Sequence, residues 1–156
     1  MKKGTIKLLI IIFLLILFDQ TTKYLVSSLL LDNSLIIIKN FLKFTYVENV
    51  GAAFGILKGN IAFLIIISLF LIYYIIKEIK NNKDNNIIYA YSLVLSGALG
   101  NLIDRIFRGY VIDFISFTFF KRDMAVFNIA DSYITIGVFL LIFFMIKEFY
   151  NGRISD

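Results

Sequence analysis

A chain of 156 residues with 60% hydrophobic residues and a mean hydropathy of +0.86 lies well above the roughly 45–50% apolar usage of water-soluble domains, and reads as one integral membrane domain, residues 1–156. Cysteine and histidine are both absent, which excludes disulfides, thiol nucleophiles, Ser-His and Cys-His mechanisms and His-ligated zinc, so no metal or cofactor is expected. The net charge of +5 comes from sixteen basic residues scattered between apolar segments, a pattern that points to anionic lipid headgroups and away from nucleic acid.

A bilayer core needs roughly 20 apolar residues per helix, and four such windows predict an all-α membrane protein with a small extracytoplasmic sheet or loop segment. The first span covers about residues 6–31. Lys2, Lys3 and Lys7 give its start the look of a signal peptide, but no small-residue cleavage motif follows and the helical pattern runs on through Asp19 and Lys23, so it is expected to be retained. Asp19 and Lys23 stand four apart with the acid first, the favoured order for a helical ion pair; they fit a structural pair and a functional one equally well.

The outer segment over about residues 32–60 alternates Leu42, Phe44 and Tyr46 with Lys43, Thr45 and Val47, the period of a strand with one apolar face. The tract NVGAAFG from Asn49 to Gly55 follows, small enough for sharp turns or close backbone approach. The second and third spans cover about residues 61–76 and 87–103, joined by KEIKNNKDNN, a cytoplasmic turn. Asp104 and Arg108 again stand four apart, so Asp104 reads first as the holder of an arginine, with Arg105 left as a substrate-contacting cation.

Asp113 lies in the second outer segment, about residues 104–128, inside Val111-Ile112-Asp113-Phe114 with no base within four residues. Burial there raises a carboxyl pKa. Asp131 opens the fourth span, about residues 129–146, where an acid also suits a helix's first turn. Two carboxylates flanking one loop, with Asn101 and Asn128 nearby as neutral donors, suit acid-base hydrolysis, in which the ionised member activates water and the neutral one polarises a carbonyl.

Four spans put both termini on one side. Eight basic residues lie on that side (Lys2, Lys3, Lys7, Lys77, Lys80, Lys83, Lys147 and Arg153) and seven on the other (Lys39, Lys43, Lys58, Arg105, Arg108, Lys121 and Arg122). The terminal-side charges are the denser, which predicts cytoplasmic termini and an outward-facing polar cluster.

The blocks DQTTK (Asp19 to Lys23), NVGAAFG, GALGNLIDR (Gly97 to Arg105), VIDF (Val111 to Phe114) and FNIADSYI (Phe127 to Ile134) together resemble the lipoprotein signal peptidases, aspartic proteases of the bacterial inner membrane, in order and spacing over nearly the whole chain. The resemblance implies that Asp113 and Asp131 form the catalytic dyad. It also implies that Asn49, Gly51, Asn101, Asp104, Arg105, Asn128 and Ala130 line or support the substrate site, and that Asp19 and Lys23 support its architecture. The implied substrate is a prolipoprotein whose lipobox cysteine carries diacylglycerol, cut just before that cysteine by a monomer among membrane lipids. A proton-coupled transporter is disfavoured by four spans without repeats, and a holin-like scaffold has no need of polar residues gathered at one face.

Overall fold

The computed structural model describes residues 3–51, 59–120 and 122–154. In chain order the elements are α1 (Lys3–Leu29), β1 (Ser34–Ile38), β2 (Leu42–Asn49), α2 (Ile61–Asn81), α3 (Asn85–Arg108), β3 (Val111–Phe119), β4 (Arg122–Phe127) and α4 (Ile129–Ile154). All four helices are long and apolar enough to cross a membrane. Residues 52–55 of the small-residue tract, with Lys2, Lys58 and Lys121, lie outside the described residues.

The helices outrun the apolar windows: α2 continues to Asn81, α3 to Arg108 and α4 to Ile154. Hydrophobicity marks where hydrocarbon ends, whereas helix ends are set by caps and turn residues. Thus Asp84 caps α3, its carboxylate accepting the Asn86 N–H at 2.8 Å. At the other end Gly109 closes the helix in the left-handed region (φ 80°), its N–H donating to the Arg105 carbonyl at 3.2 Å, a conformation that a Cβ disfavours. Asp104, Arg105 and Arg108, expected in or beside an outer connection, are therefore part of a rigid helix.

One helix is central. In the most apolar stretch of α3, 61% of residues are buried within the protein, against 11% for α1, 17% for α2 and 11% for α4, so the last three turn most of their surface outward, as lipid-facing helices do. Close approach to α3 requires small residues. A Cβ on Gly97 would collide with the Ala130 carbonyl, and one on Gly100 would lie 2.6 Å from Asp19 Oδ2. These two positions let α4 and α1 reach α3 beside the polar residues.

The strands form one antiparallel sheet in the order β1-β2-β3-β4. The predicted strand over residues 42–47 is present as β2; the second outer segment, beyond the end of α3, is a further hairpin, β3–β4. Pairing of β2 with β3 places Val47 opposite Asp113 and Asn49 opposite Val111, with an irregularity between Phe44 and Val47. The sheet packs on α1 through Val26, Ile112 and Phe114, with Leu30, Phe44 and Tyr110 around them. Asp113 is thereby fixed on a central strand, held by its pairing with Val47.

Candidate active site

Polar side chains from five elements converge where the sheet meets the ends of α1 and α3 and the start of α4. They form two layers. The inner layer is an ion cluster. Lys23 and Asp19 pair at 3.0 Å, Lys23 and Asp104 at 2.9 Å, and all three side chains are fully buried. Arg108 bonds to the other oxygen of Asp104. Two acids and two bases thus cancel within the protein, which is how buried charge is tolerated beside a membrane. Remaining lone pairs are taken up by neighbours: Asp19 Oδ1 accepts the Ala130 N–H at 2.9 Å, and Asp104 accepts from the Ile112 N–H at 3.3 Å and from the Gln20 amide at 3.1 Å.

Asp113 and Asp131 occupy the outer layer, and among the described residues neither forms an ion pair. Asp113, 2% exposed, accepts from Asn49 Nδ2 at 2.8 Å on one oxygen and from Asn128 Nδ2 at 2.6 Å on the other. Asp131 accepts from Asn101 Nδ2 at 2.8 Å and from the Asn128 N–H at 3.3 Å. Asn128 therefore touches both carboxylates.

The carboxyl of Asp113 is pushed up to about 6, first by burial and then by the charge of Asp131; the amides of Asn49 and Asn128 and the ammonium of Lys23 oppose the shift. Desolvation wins because its donors are neutral.

Asp131 has the capping role as well. Asn128 is the cap, its Oδ1 accepting the Asp131 N–H at 2.8 Å while Asp131 Oδ2 accepts the Asn128 N–H, the reciprocal arrangement of a capping box. The same two bonds that start α4 hold the carboxylate in place. Arg105 lies at the rim, its Nη2 donating to the Gly51 carbonyl at 3.4 Å while its buried Nε has no partner. Gly51 is itself tied to Asn49, whose Oδ1 accepts the Gly51 N–H at 2.9 Å.

Asp19, Lys23, Asn49, Gly51, Asn101, Asp104, Arg105, Asp113, Asn128, Ala130 and Asp131 are thus all brought together. One participant was not picked out from sequence. Gln20 donates to Gly100 O, Asp104 and Asp19 at 3.1–3.2 Å and accepts from Arg108 at 3.2 Å. Its signal was available as a further polar residue in the DQTTK run of an otherwise apolar helix. Among the described residues, no three acidic side chains gather as a metal site would require.

The family model for signal peptidase (SPase) II matches residues 11–147. The chain belongs to that family. It is 45% identical over 143 residues to a lipoprotein signal peptidase of Caldanaerobacter subterraneus subsp. tengcongensis, covering 88% of this chain and 94% of the relative. It is 43% identical over 151 residues to a lipoprotein signal peptidase of Staphylococcus aureus, covering 94% and 91%. Two solved bacterial membrane enzymes share the fold: one at 37% identity with a TM-score of 0.86 over 96% of this chain and 92% of the other, and one at 39% with 0.80 over 94% and 95%. Membership of the signal peptidase II family makes this chain a bacterial membrane peptidase by kinship, and the four membrane-length helices agree.

Proposed function

We propose that the chain is an aspartic endopeptidase that removes the signal peptide from diacylglyceryl-modified prolipoproteins, cutting before the lipidated cysteine. The observation that carries this reading is the pair Asp113 and Asp131, linked through Asn128 and, among the described residues, held in no ion pair. Each carboxylate is held by N–H donors on both oxygens, and one proton shared between them leaves one base and one acid. The ionised carboxylate takes a proton from water as its oxygen attacks the scissile carbonyl, and the neutral carboxyl gives its proton to the carbonyl oxygen. Collapse of the tetrahedral intermediate breaks the C–N bond, and the leaving amine takes up a proton from the pair. The products are the signal peptide's new carboxylate and the amino group of the lipidated cysteine.

Arg105, with its unpartnered Nε, contacts a substrate carbonyl in this reading. Asn49 and Gly51 shape the same rim. The kinship with lipoprotein signal peptidases supports the substrate class. The reading also places both termini in the cytoplasm and the site at the outer face of the cytoplasmic membrane, where a monomer meets exported substrate. A cysteine at Asn82 is then shielded from an impermeant thiol reagent in intact cells, and one at Asn40 is labelled.

The decisive assay uses purified enzyme in lipid with matched precursors. The diacylglyceryl form is cleaved before its cysteine, while the unmodified form, lacking roughly 0.8 kcal/mol of membrane affinity per buried methylene, is a very poor substrate. Equal cleavage of the two would sink the reading.

A further inference from the structure

Lys23 is fully buried and has no step in the hydrolysis proposed above. Its ammonium nonetheless reaches the outer layer: besides Asp19 and Asp104 it bonds to Asn101 Oδ1 at 3.1 Å. An ammonium can only donate, whereas an amide has one accepting and one donating end. The end of Asn101 that faces Lys23 must therefore be the oxygen, which turns its Nδ2 toward Asp131 Oδ1 at 2.8 Å. The same oxygen accepts from Asn128 Nδ2 at 3.2 Å, and that nitrogen reaches Asp113 Oδ1 at 2.6 Å. Asn128 Oδ1 is then left for the Asp131 N–H at 2.8 Å. With Asn101 turned over, its NH2 would face both an ammonium and the NH2 of Asn128, and its oxygen would face a carboxylate.

We infer that Lys23 is a positioning residue for catalysis: its donor-only contact fixes the orientation of Asn101 and, through it, of Asn128, so that both reacting carboxylates face N–H donors and are held where they share a proton. This inference rests on the aspartic reading of Asp113 and Asp131. It differs from a purely structural role for the Asp19–Lys23–Asp104 cluster, because the positioning effect passes through one atom, Asn101 Oδ1, whereas the direct action of the Lys23 charge on Asp113 moves the pH profile and not the plateau kcat.

The test is a kinetic cycle on the full-length enzyme in lipid, with lipidated prolipoprotein as substrate and thermal unfolding as the check on fold. Lys23→Gln, which can both donate and accept, loses on the order of a hundredfold in kcat, the scale of a small misplacement of reacting groups, and KM stays within about twofold. Lys23→Arg, bulkier but donor-only, recovers most of kcat. With kcat read at the plateau of each variant's pH profile, Lys23→Gln combined with Asn101→Leu falls no lower than Asn101→Leu alone, since removal of the relay atom leaves Lys23 no positioning contact to act through. If Lys23→Gln fails to fold, Asp19→Asn/Lys23→Gln removes one charge of each sign and takes its place in the cycle.

Losses that multiply in the double variant, or a kcat per folded enzyme no better with Arg than with Gln, overturn the inference. Asp113→Asn and Asp131→Asn run alongside separate the two ideas. Turnover retained in these variants removes the aspartic reading itself; turnover lost in them, with multiplicative losses in the cycle, removes only the role of Lys23.

Discussion

Asp104 and Asp113 are both buried, at 0% and 2% exposure, yet their surroundings oppose one another. Asp104 is met by Lys23 and Arg108, a backbone N–H and the Gln20 amide. Asp113 accepts, among the described residues, only from the neutral amides of Asn49 and Asn128. Burial by itself therefore does not identify a chemical role. A carboxylate whose charge is cancelled by cations joins α1 to α3, whereas one held by neutral donors beside a second carboxylate keeps the capacity to exchange a proton.

The strongest way to break this contrast is to neutralise the outer pair. Asp113→Asn and Asp131→Asn are expected to lower turnover of lipidated precursor by a hundredfold or more, with membrane insertion and substrate binding preserved because each change keeps its side chain's size. Near-normal turnover in Asp113→Asn, with loss confined to Asp104→Asn, would exchange the two roles.

The converse substitution acts on stability. Asp104→Asn leaves a fully buried Lys23 with one of its two carboxylates and Arg108 with no acidic partner among the described residues, and removal of one partner from a buried ion pair costs about 3–5 kcal/mol. The expected result is a large drop in the unfolding midpoint of the purified protein. A midpoint equal to that of the unsubstituted protein would show that the cluster does not join the helices.

Proton uptake sharpens the contrast further. The Asp113 carboxyl moves from 3.8 to about 6 on folding, so the folded state binds more protons between these values, and stability falls as pH rises through that window. The shift corresponds to roughly 3 kcal/mol: the cost is absent below about pH 4, fully developed above about pH 6, and abolished by Asp113→Asn. Unfolding midpoints measured across this range check it. Turnover should follow a bell, with loss at low pH when both carboxyls are neutral and at high pH when neither is. A rate that climbs steadily into the alkaline range would point to a lysine base instead.

Much of this was legible in the sequence, for reasons that differ by element. The spans were visible because a bilayer demands long apolar runs, and β2 because Leu42, Phe44 and Tyr46 alternate. The hairpin β3–β4 was not, since Val111 to Phe114 is buried on both faces and so shows no clean alternation. Asp113 stood out for want of a nearby base in sequence; folding brings the charge of Lys23 to bear on it, yet among the described residues it forms no ion pair. Asp131 was ambiguous because Asn128 makes it a cap and an outer-layer carboxylate at once. The four-membered charge balance could not be read, because Lys23 and Asp104 meet only when α1 lies against α3. That approach depends on Gly100, whose role is a matter of distance.

Gly100 supplies the smallest and most local test. Its added Cβ would lie 2.6 Å from Asp19 Oδ2 and 3.3 Å from the Ala130 Cβ, and Asp19 Oδ2 is already bonded to Lys23 at 3.0 Å. Gly100→Ala should therefore push α1 away from α3 and loosen the ion cluster, at the 1–3 kcal/mol typical of overpacking. Gly97→Ala offers a paired measurement, because its Cβ meets the Ala130 carbonyl, a backbone atom at the start of α4 that cannot rotate aside. It should shift the helix that carries Asp131. At a similar cost in unfolding midpoint, Gly97→Ala should lose more kcat than Gly100→Ala, since the first moves a carboxylate of the proposed catalytic pair and the second strains a cluster one layer below. Equal losses of kcat at matched stability would mean that the two layers move as one body, and the division between a neutralised inner layer and a proton-exchanging outer layer would lose its mechanical basis.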